Sequence, residues 1–182
     1  MGIPNLLTFL RLILIPVFIL LFYLPFRGSH VLAAIIFIFA AMTDWLDGYL
    51  ARSLGQVSKL GTFLDPVADK LIVVTALVLL VGDRVLPYLA IPAIVIICRE
   101  IMVSALREWM AEIGKRTRIA VTRIGKIKTT VQMLALILLL LYKPGAWFAL
   151  ALSGYLLLYL AALLTLWSMS LYLKAAWHDL SS

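Results

Sequence analysis

The chain has 182 residues, 64% of them hydrophobic and 14% charged, with a formal net charge of +7. A soluble domain is about 45–50% apolar and about 25% charged, so at this excess too little polar surface remains to coat a water-soluble core. That excludes a soluble enzyme and a disordered tail, and the single Cys98 excludes an internal disulfide framework.

What remains is an all-α polytopic membrane protein, one domain over residues 1–182 with six transmembrane helices. A short N-terminal segment, Ile3–Arg11, is expected to lie along the interface, with Asn5 a candidate helix cap. The first uncharged run is Leu12–Phe26; only Arg11 is basic before it and no small-residue cleavage site follows, which argues against a signal peptide. Val31–Thr43 comes next and continues as helix to Arg52. After a short loop at Ser53–Leu60, Gly61–Lys70 leads into Leu71–Gly82. Val85–Cys98 runs on to about Glu112, a basic loop covers Ile113–Gly125, and Gly125–Lys128 opens the helix of Thr129–Tyr142. The last run, Pro144–Leu173, is 30 residues long and must tilt or protrude.

Most of the other runs have 12–15 residues, short of the roughly 20 that cross a hydrocarbon core. Helices two to five are therefore apolar in one half and charged in the other. Of 16 Lys and Arg residues, only Arg27, Arg84 and Lys143 fall on the sparse face. The positive-inside rule makes the other face cytoplasmic, with both termini inside.

Four acids stand in the charged halves of helices two and three. Asp44 and Asp47 are three apart and Asp65 and Asp69 four apart, so each pair shares a helix face. A carboxylate costs about 2.5–3.5 kcal/mol at the centre of a membrane helix, less near the interface. Arg52 and Lys70 can neutralise only two of the four. Two divalent cations would match them, and all-oxygen ligation suits Mg²⁺ or Mn²⁺. Gly48 allows a ligand close to the helix backbone, and Pro66 suits a first helical turn or a kink. The plainer reading of any single aspartate is a salt-bridged helix end; the spacing of all four argues for the metal site.

The string Asp44-x-x-Asp47-Gly48-x-x-Ala51-Arg52, eight residues, then Gly61-x₃-Asp65-x₃-Asp69, resembles the signature of the CDP-alcohol phosphotransferases at all eight fixed positions. Further segments, Ile3–Arg11, Arg99-Glu100, Ser104–Lys115 and Gly125–Thr130, are similar to bacterial members that use sn-glycerol 3-phosphate, and the likeness covers essentially the whole chain. The resemblance implies a homodimeric enzyme of the bacterial cytoplasmic (inner) membrane, with a polar cavity opening to the cytosol. It implies two metals held by Asp44, Asp47, Asp65 and Asp69, with Asp69 as catalytic base and Gly48, Ala51, Arg52 and Gly61 lining the CDP moiety. The implied reaction turns CDP-diacylglycerol and sn-glycerol 3-phosphate into phosphatidylglycerophosphate and CMP.

The acceptor phosphate is expected on Arg99, Arg107 and Lys128, with Thr8, Arg11 and Lys126 as further candidates. Arg99 and Arg107 are about two turns apart on one face, and guanidinium groups bind phosphate bidentately. Such a pocket suits choline or ethanolamine poorly. Lys115, Arg116, Arg118 and Arg123 read instead as topology and anionic-lipid contacts. His30 and His178 are not assigned to the metals, and Trp147 and Trp177 read as interfacial anchors. Two competing readings are a sibling transferase with inositol phosphate or serine as acceptor, and a divalent-cation transporter. The transporter does not explain why the acids collect at one membrane face. Nothing in the sequence points to a nucleic acid partner.

Overall fold

A computed structural model describes residues 3–26, 28–54, 59–83, 86–113, 123–142 and 148–180. Of residues 3–5, 44, 45, 47–54, 59, 60, 62, 63, 123–126 and 175–180 it describes the backbone alone. Among the described residues there are six helices and no strand: α1 (Ile3–Tyr23), α2 (Ser29–Leu54), α3 (Lys59–Gly82), α4 (Ala90–Glu112), α5 (Arg123–Leu141) and α6 (Phe148–Leu180). The connections expected at Ser53–Leu60, Gly82–Arg84, Ile113–Gly125 and Lys143–Gly145 fall wholly or partly outside the described residues, as does Trp147. The chain forms two compact units, Met1–Val85 with Leu140–Ala146, and Leu86–Leu139 with Trp147–Ser182.

In the first unit α1 packs against α2 and α3, and α2 against α3. The buried stripe of α1 is Leu14, Phe18 and Phe22, at a spacing of four residues that keeps it on one face. It packs on α2, whose Ala33, Ala34, Phe37 and Ala40 are all four fully buried. The alanines let the two backbones approach, and Phe18 and Phe37 fill the space with ring centroids 6.0 Å apart. The segment Ile3–Arg11, expected to lie apart from the first span, is not a separate element. It is the first half of α1: Pro4 stands in the first turn, where its missing N–H costs no intrahelical bond, and Thr8 and Arg11 tie the segment to α3. Pro66 lies well inside α3 rather than at its first turn, and Pro16 lies inside α1. Each removes one intrahelical hydrogen bond.

In the second unit α4 packs against α6. Ala93, Ile96, Val103 and Met110 are the buried face of α4, and Leu158, Ala161, Ala162 and Tyr172 belong to that of α6. The start of α4 is fixed from α6. Tyr155 donates its hydroxyl to the Pro87 carbonyl at 2.7 Å, and Tyr159 to that of Tyr88 at 2.9 Å. These bonds bracket a strained turn, since Tyr88 has φ 63°, a left-handed conformation rare for a bulky residue. Two cross-contacts, Arg99 with Ser168 and Arg107 with Tyr172, rise together in number along α4 and α6, so these helices are parallel.

Two stretches, Leu6–Tyr23 in α1 and Phe148–Lys174 in α6, are long and apolar enough to cross a membrane; Ser29–Thr43 and Ile127–Leu141 are shorter apolar helices. Among the described residues, length and composition therefore deliver two such spans and not six. Helices α2 to α5 carry Asp44, Asp65, Arg99 or Lys128 inside the helix, which shortens each apolar window. Large apolar side chains are nevertheless exposed at Leu6, Ile13 and Leu20 of α1, Ile91, Ile94 and Ile101 of α4, and Leu156, Leu163 and Trp167 of α6.

Candidate active site

The first unit brings two α1 side chains onto two α3 carboxylates. Thr8 and Arg11, three residues apart, share a face of α1, as Asp65 and Asp69 share one of α3. Thr8 donates its hydroxyl to Asp65 Oδ1 at 2.5 Å, and Arg11 donates from Nη1 to Asp69 Oδ1 in an ion pair. Both α1 residues are buried, Arg11 completely, whereas the Asp69 side chain keeps 40% of its exposure. The result is a pair of carboxylates aimed by groups behind them and open in front. Thr8 orients Asp65 through a neutral hydroxyl, whereas Arg11 brings a positive charge to Asp69. Gly61, one turn before Asp65, is buried.

Asp44, Asp47, Gly48, Ala51 and Arg52 all lie in α2, which packs on α3; their side chains lie outside the described residues. Among the described residues no group of three or more His, Cys, Asp or Glu side chains forms a metal site. The donors that are described are carboxylate oxygens held in position by hydrogen bonds, a donor set that fits Mg²⁺ or Mn²⁺ rather than zinc. His30 packs against Phe22 with the rings tilted and their centroids 5.1 Å apart, and the side chain of His178 lies outside the described residues.

The second unit assembles the cations. Arg99 donates from Nη1 to Glu100 Oε1 at 3.0 Å, and Lys128 donates from Nζ to the same oxygen at 2.5 Å. Arg99 also donates from Nη2 to Ser168 Oγ at 3.2 Å, and Ser168 in turn donates to the Thr165 carbonyl. Arg107 donates from Nη2 to the Tyr172 hydroxyl at 3.2 Å. The Tyr172 ring lies 5.7 Å from the Arg99 guanidinium and 5.6 Å from that of Arg107, a double cation–π contact. Arg99 and Lys128 are buried, and a buried cation needs a counter-charge. Glu100 supplies one for both of them.

Of the expected phosphate ligands, the structure brings together Arg99, Arg107 and Lys128 through Glu100 and Tyr172. It sets Thr8 and Arg11 against the aspartates, and the side chain of Lys126 lies outside the described residues. The sequence names Glu100 only beside Arg99 as part of the likeness, with no role, and gives Ser168 and Tyr172 none. Thr165, Ser168 and Tyr172 recur at helical spacing in an otherwise apolar helix, and that polar stripe was the available signal.

These features are those of a CDP-alcohol phosphotransferase, and the comparison with known proteins agrees. The family model for CDP-alcohol phosphatidyltransferase matches residues 1–167, and the chain belongs to that family. It is 53% identical over 180 residues to a CDP-diacylglycerol–glycerol-3-phosphate 3-phosphatidyltransferase of Yersinia enterocolitica, covering 99% of this chain and 97% of that protein. It is 57% identical over 189 residues to a protein of the same name from Pseudomonas fluorescens, covering 100% and 93%. A third, from Pectobacterium atrosepticum, is 54% identical over 179 residues, covering 98% and 97%.

Proposed function

We propose that this protein transfers the phosphatidyl group of CDP-diacylglycerol to sn-glycerol 3-phosphate, giving phosphatidylglycerophosphate and CMP. The observation that carries this is the identity of more than half, over nearly the whole chain, to relatives bearing that activity as their name.

The donor has two acyl chains and a water-soluble nucleotide, so its diphosphate lies at headgroup depth. A helix set with apolar outer halves and charged inner halves meets that requirement, and the exposed Leu6, Ile13, Leu20, Leu156, Leu163 and Trp167 suit a lipid solvent. In this reading all six helices cross the bacterial inner membrane, the charged ends and the site face the cytosol, and the enzyme is a homodimer. Asp44, Asp47, Asp65 and Asp69 would hold two Mg²⁺ or Mn²⁺ ions, which supply positive charge to the donor diphosphate. Gly48, Ala51, Arg52 and Gly61 line the CDP moiety.

Asp69 accepts the proton of the primary hydroxyl as its oxygen bonds to the phosphatidyl phosphorus and the bond to CMP breaks. An aspartate is a weak base, with a pKa of about 3.9, so its value lies in position. Arg11 supplies that position. Arg99, Arg107 and Lys128 bind the acceptor phosphate, which brings the reactants together and removes much of the entropic barrier.

The test is an acceptor panel. Purified protein with CDP-diacylglycerol and Mg²⁺ or Mn²⁺ is offered glycerol 3-phosphate, inositol phosphate and serine, and CMP is measured. Release with glycerol 3-phosphate is expected; release only with another acceptor overturns the substrate assignment.

A further inference from the structure

Two polar side chains of the second unit have no part in the chemistry above. Gln132 lies four residues beyond Lys128 on α5, and Thr165 three residues before Ser168 on α6. Each is therefore one turn from the ion cluster. Lys128 meets Glu100 at one level, and Leu139 packs where a Cβ on Gly154 would stand, so α5 runs antiparallel to α6. The step from Lys128 to Gln132 and the step from Ser168 to Thr165 thus go the same way, away from Arg107 and Tyr172. Both residues are buried, Gln132 at 3% and Thr165 at 0% exposure. Gln132 Oε1, Thr165 Oγ1 and Arg99 Nε have no hydrogen-bond partner among the described residues.

Buried polar atoms without partners are rare and call for an occupant. Their chemistry defines it. An amide oxygen only accepts, so a phosphate oxygen cannot satisfy Gln132 Oε1. An ammonium group could, but the three neighbouring cations repel it. A hydroxyl is the group that could donate to Gln132 Oε1 and accept from the Thr165 hydroxyl, and a phosphate oxygen the one that could serve Arg99 Nε. In glycerol 3-phosphate the C2 hydroxyl oxygen is four bonds from phosphorus, a reach of about one helical turn.

We propose that Gln132 and Thr165 are specificity-determining residues that bind the non-reacting C2 hydroxyl of a glycerol phosphate acceptor, one turn away from the cations that hold its phosphate. This rests on the reaction proposed above. The hydroxyl bond orients the acceptor about its phosphate and presents the primary hydroxyl for attack. A site built to bind a hydroxyl rejects an analogue that lacks it, because its own polar groups stay unpaired.

The experiment compares glycerol 3-phosphate with 3-hydroxypropyl phosphate, which keeps the phosphate and the nucleophile and lacks the C2 hydroxyl. Wild-type kcat/KM is expected to favour glycerol 3-phosphate by at least about tenfold. In Gln132→Leu and in Thr165→Val that preference falls to about threefold or less. The loss falls on glycerol 3-phosphate alone, and KM for CDP-diacylglycerol is unchanged. Should Gln132→Leu not fold, Thr165→Val, which conserves volume, decides the matter. A preference that survives in the variants, both acceptors losing in parallel, overturns the inference and leaves the reaction standing, as does a wild type indifferent to the two acceptors. Absence of CMP release from the wild type with either acceptor overturns the reaction assignment and this inference with it.

Discussion

Arg11 of α1 donates to the carboxylate of Asp69 in α3, 58 residues further along the chain, and the two ends of this pair sit in different surroundings. The guanidinium side chain is 0% exposed and the carboxylate side chain 40%. The cation is thus fixed in the protein, while the anion it aims stays reachable from outside. That asymmetry suits a group that must meet a substrate in one orientation. Asp69→Asn is expected to lower kcat by about 10²–10⁴-fold while the protein still inserts and folds. Arg11→Lys, which keeps the charge and loses the planar fork, should lose less turnover than Arg11→Ala. CMP release checks both, and wild-type turnover in Asp69→Asn would remove that residue from the base role.

Thr8 holds Asp65 as Arg11 holds Asp69, but through a neutral hydroxyl. Groups that orient metal ligands typically change metal affinity or activity by about 10–100-fold when removed. Chelation with EDTA should abolish CMP release, and Mg²⁺ or Mn²⁺ should restore it. Thr8→Val keeps the shape of a side chain only 1% exposed and should raise the metal concentration for half-maximal rate by about tenfold or more. An unchanged metal titration would separate Asp65 from the metals.

The parts of this arrangement that the sequence exposes are those with fixed spacing along one helix. Asp65 and Asp69 are legible because i and i+4 meet on a helix whatever surrounds it. The apolar halves are legible because charge is so costly in lipid. Partners across helices are not. Glu100 reads as one more charge beside Arg99, and only the fold brings Lys128 to the same oxygen. Tyr172 reads as an aromatic in an apolar run, yet it lies against both Arg99 and Arg107. Thr8 and Arg11 read from the sequence only as polar residues near the expected mouth; it is the fold that brings them to Asp65 and Asp69. The continuity of α1 through Ile3–Arg11 escaped for the same reason, since the α3 carboxylates that tie it down are remote in sequence.

Lys128 and Arg107 differ in burial, and their variants should differ accordingly. Lys128 is 1% exposed and shares Glu100 with Arg99. Lys128→Met therefore leaves Arg99 paired to Glu100 but removes one of the three cations. KM for glycerol 3-phosphate should rise at least about tenfold, the effect of losing a charge-assisted bond of roughly 1.5–3 kcal/mol. Arg107 is exposed and held through Tyr172, so Arg107→Ala should raise the same KM with a smaller effect on stability. In both variants KM for CDP-diacylglycerol should move little. Equal losses for the two substrates would argue against an acceptor pocket on these residues.

Gly154 of α6 offers a test of packing apart from chemistry. A Cβ there would stand 2.8 Å from both Cγ and Cδ2 of Leu139 on α5 and 3.4 Å from its backbone nitrogen. Leu139 is 1% exposed, so its branch cannot swing aside without displacing other core atoms. Overpacking of this kind costs about 1–3 kcal/mol, and Gly154→Ala should lower the unfolding midpoint in detergent with both KM values unchanged. Leu139→Ala alone should also destabilise, by about 2–5 kcal/mol, through the cavity it leaves. Combined, the two changes act on one volume: the added methyl enters the space that the leucine vacates. The double variant should therefore be more stable than the sum of the single losses allows, with a coupling of about 0.5–3 kcal/mol. Strict additivity in that cycle would mean that α5 and α6 do not meet at these two residues.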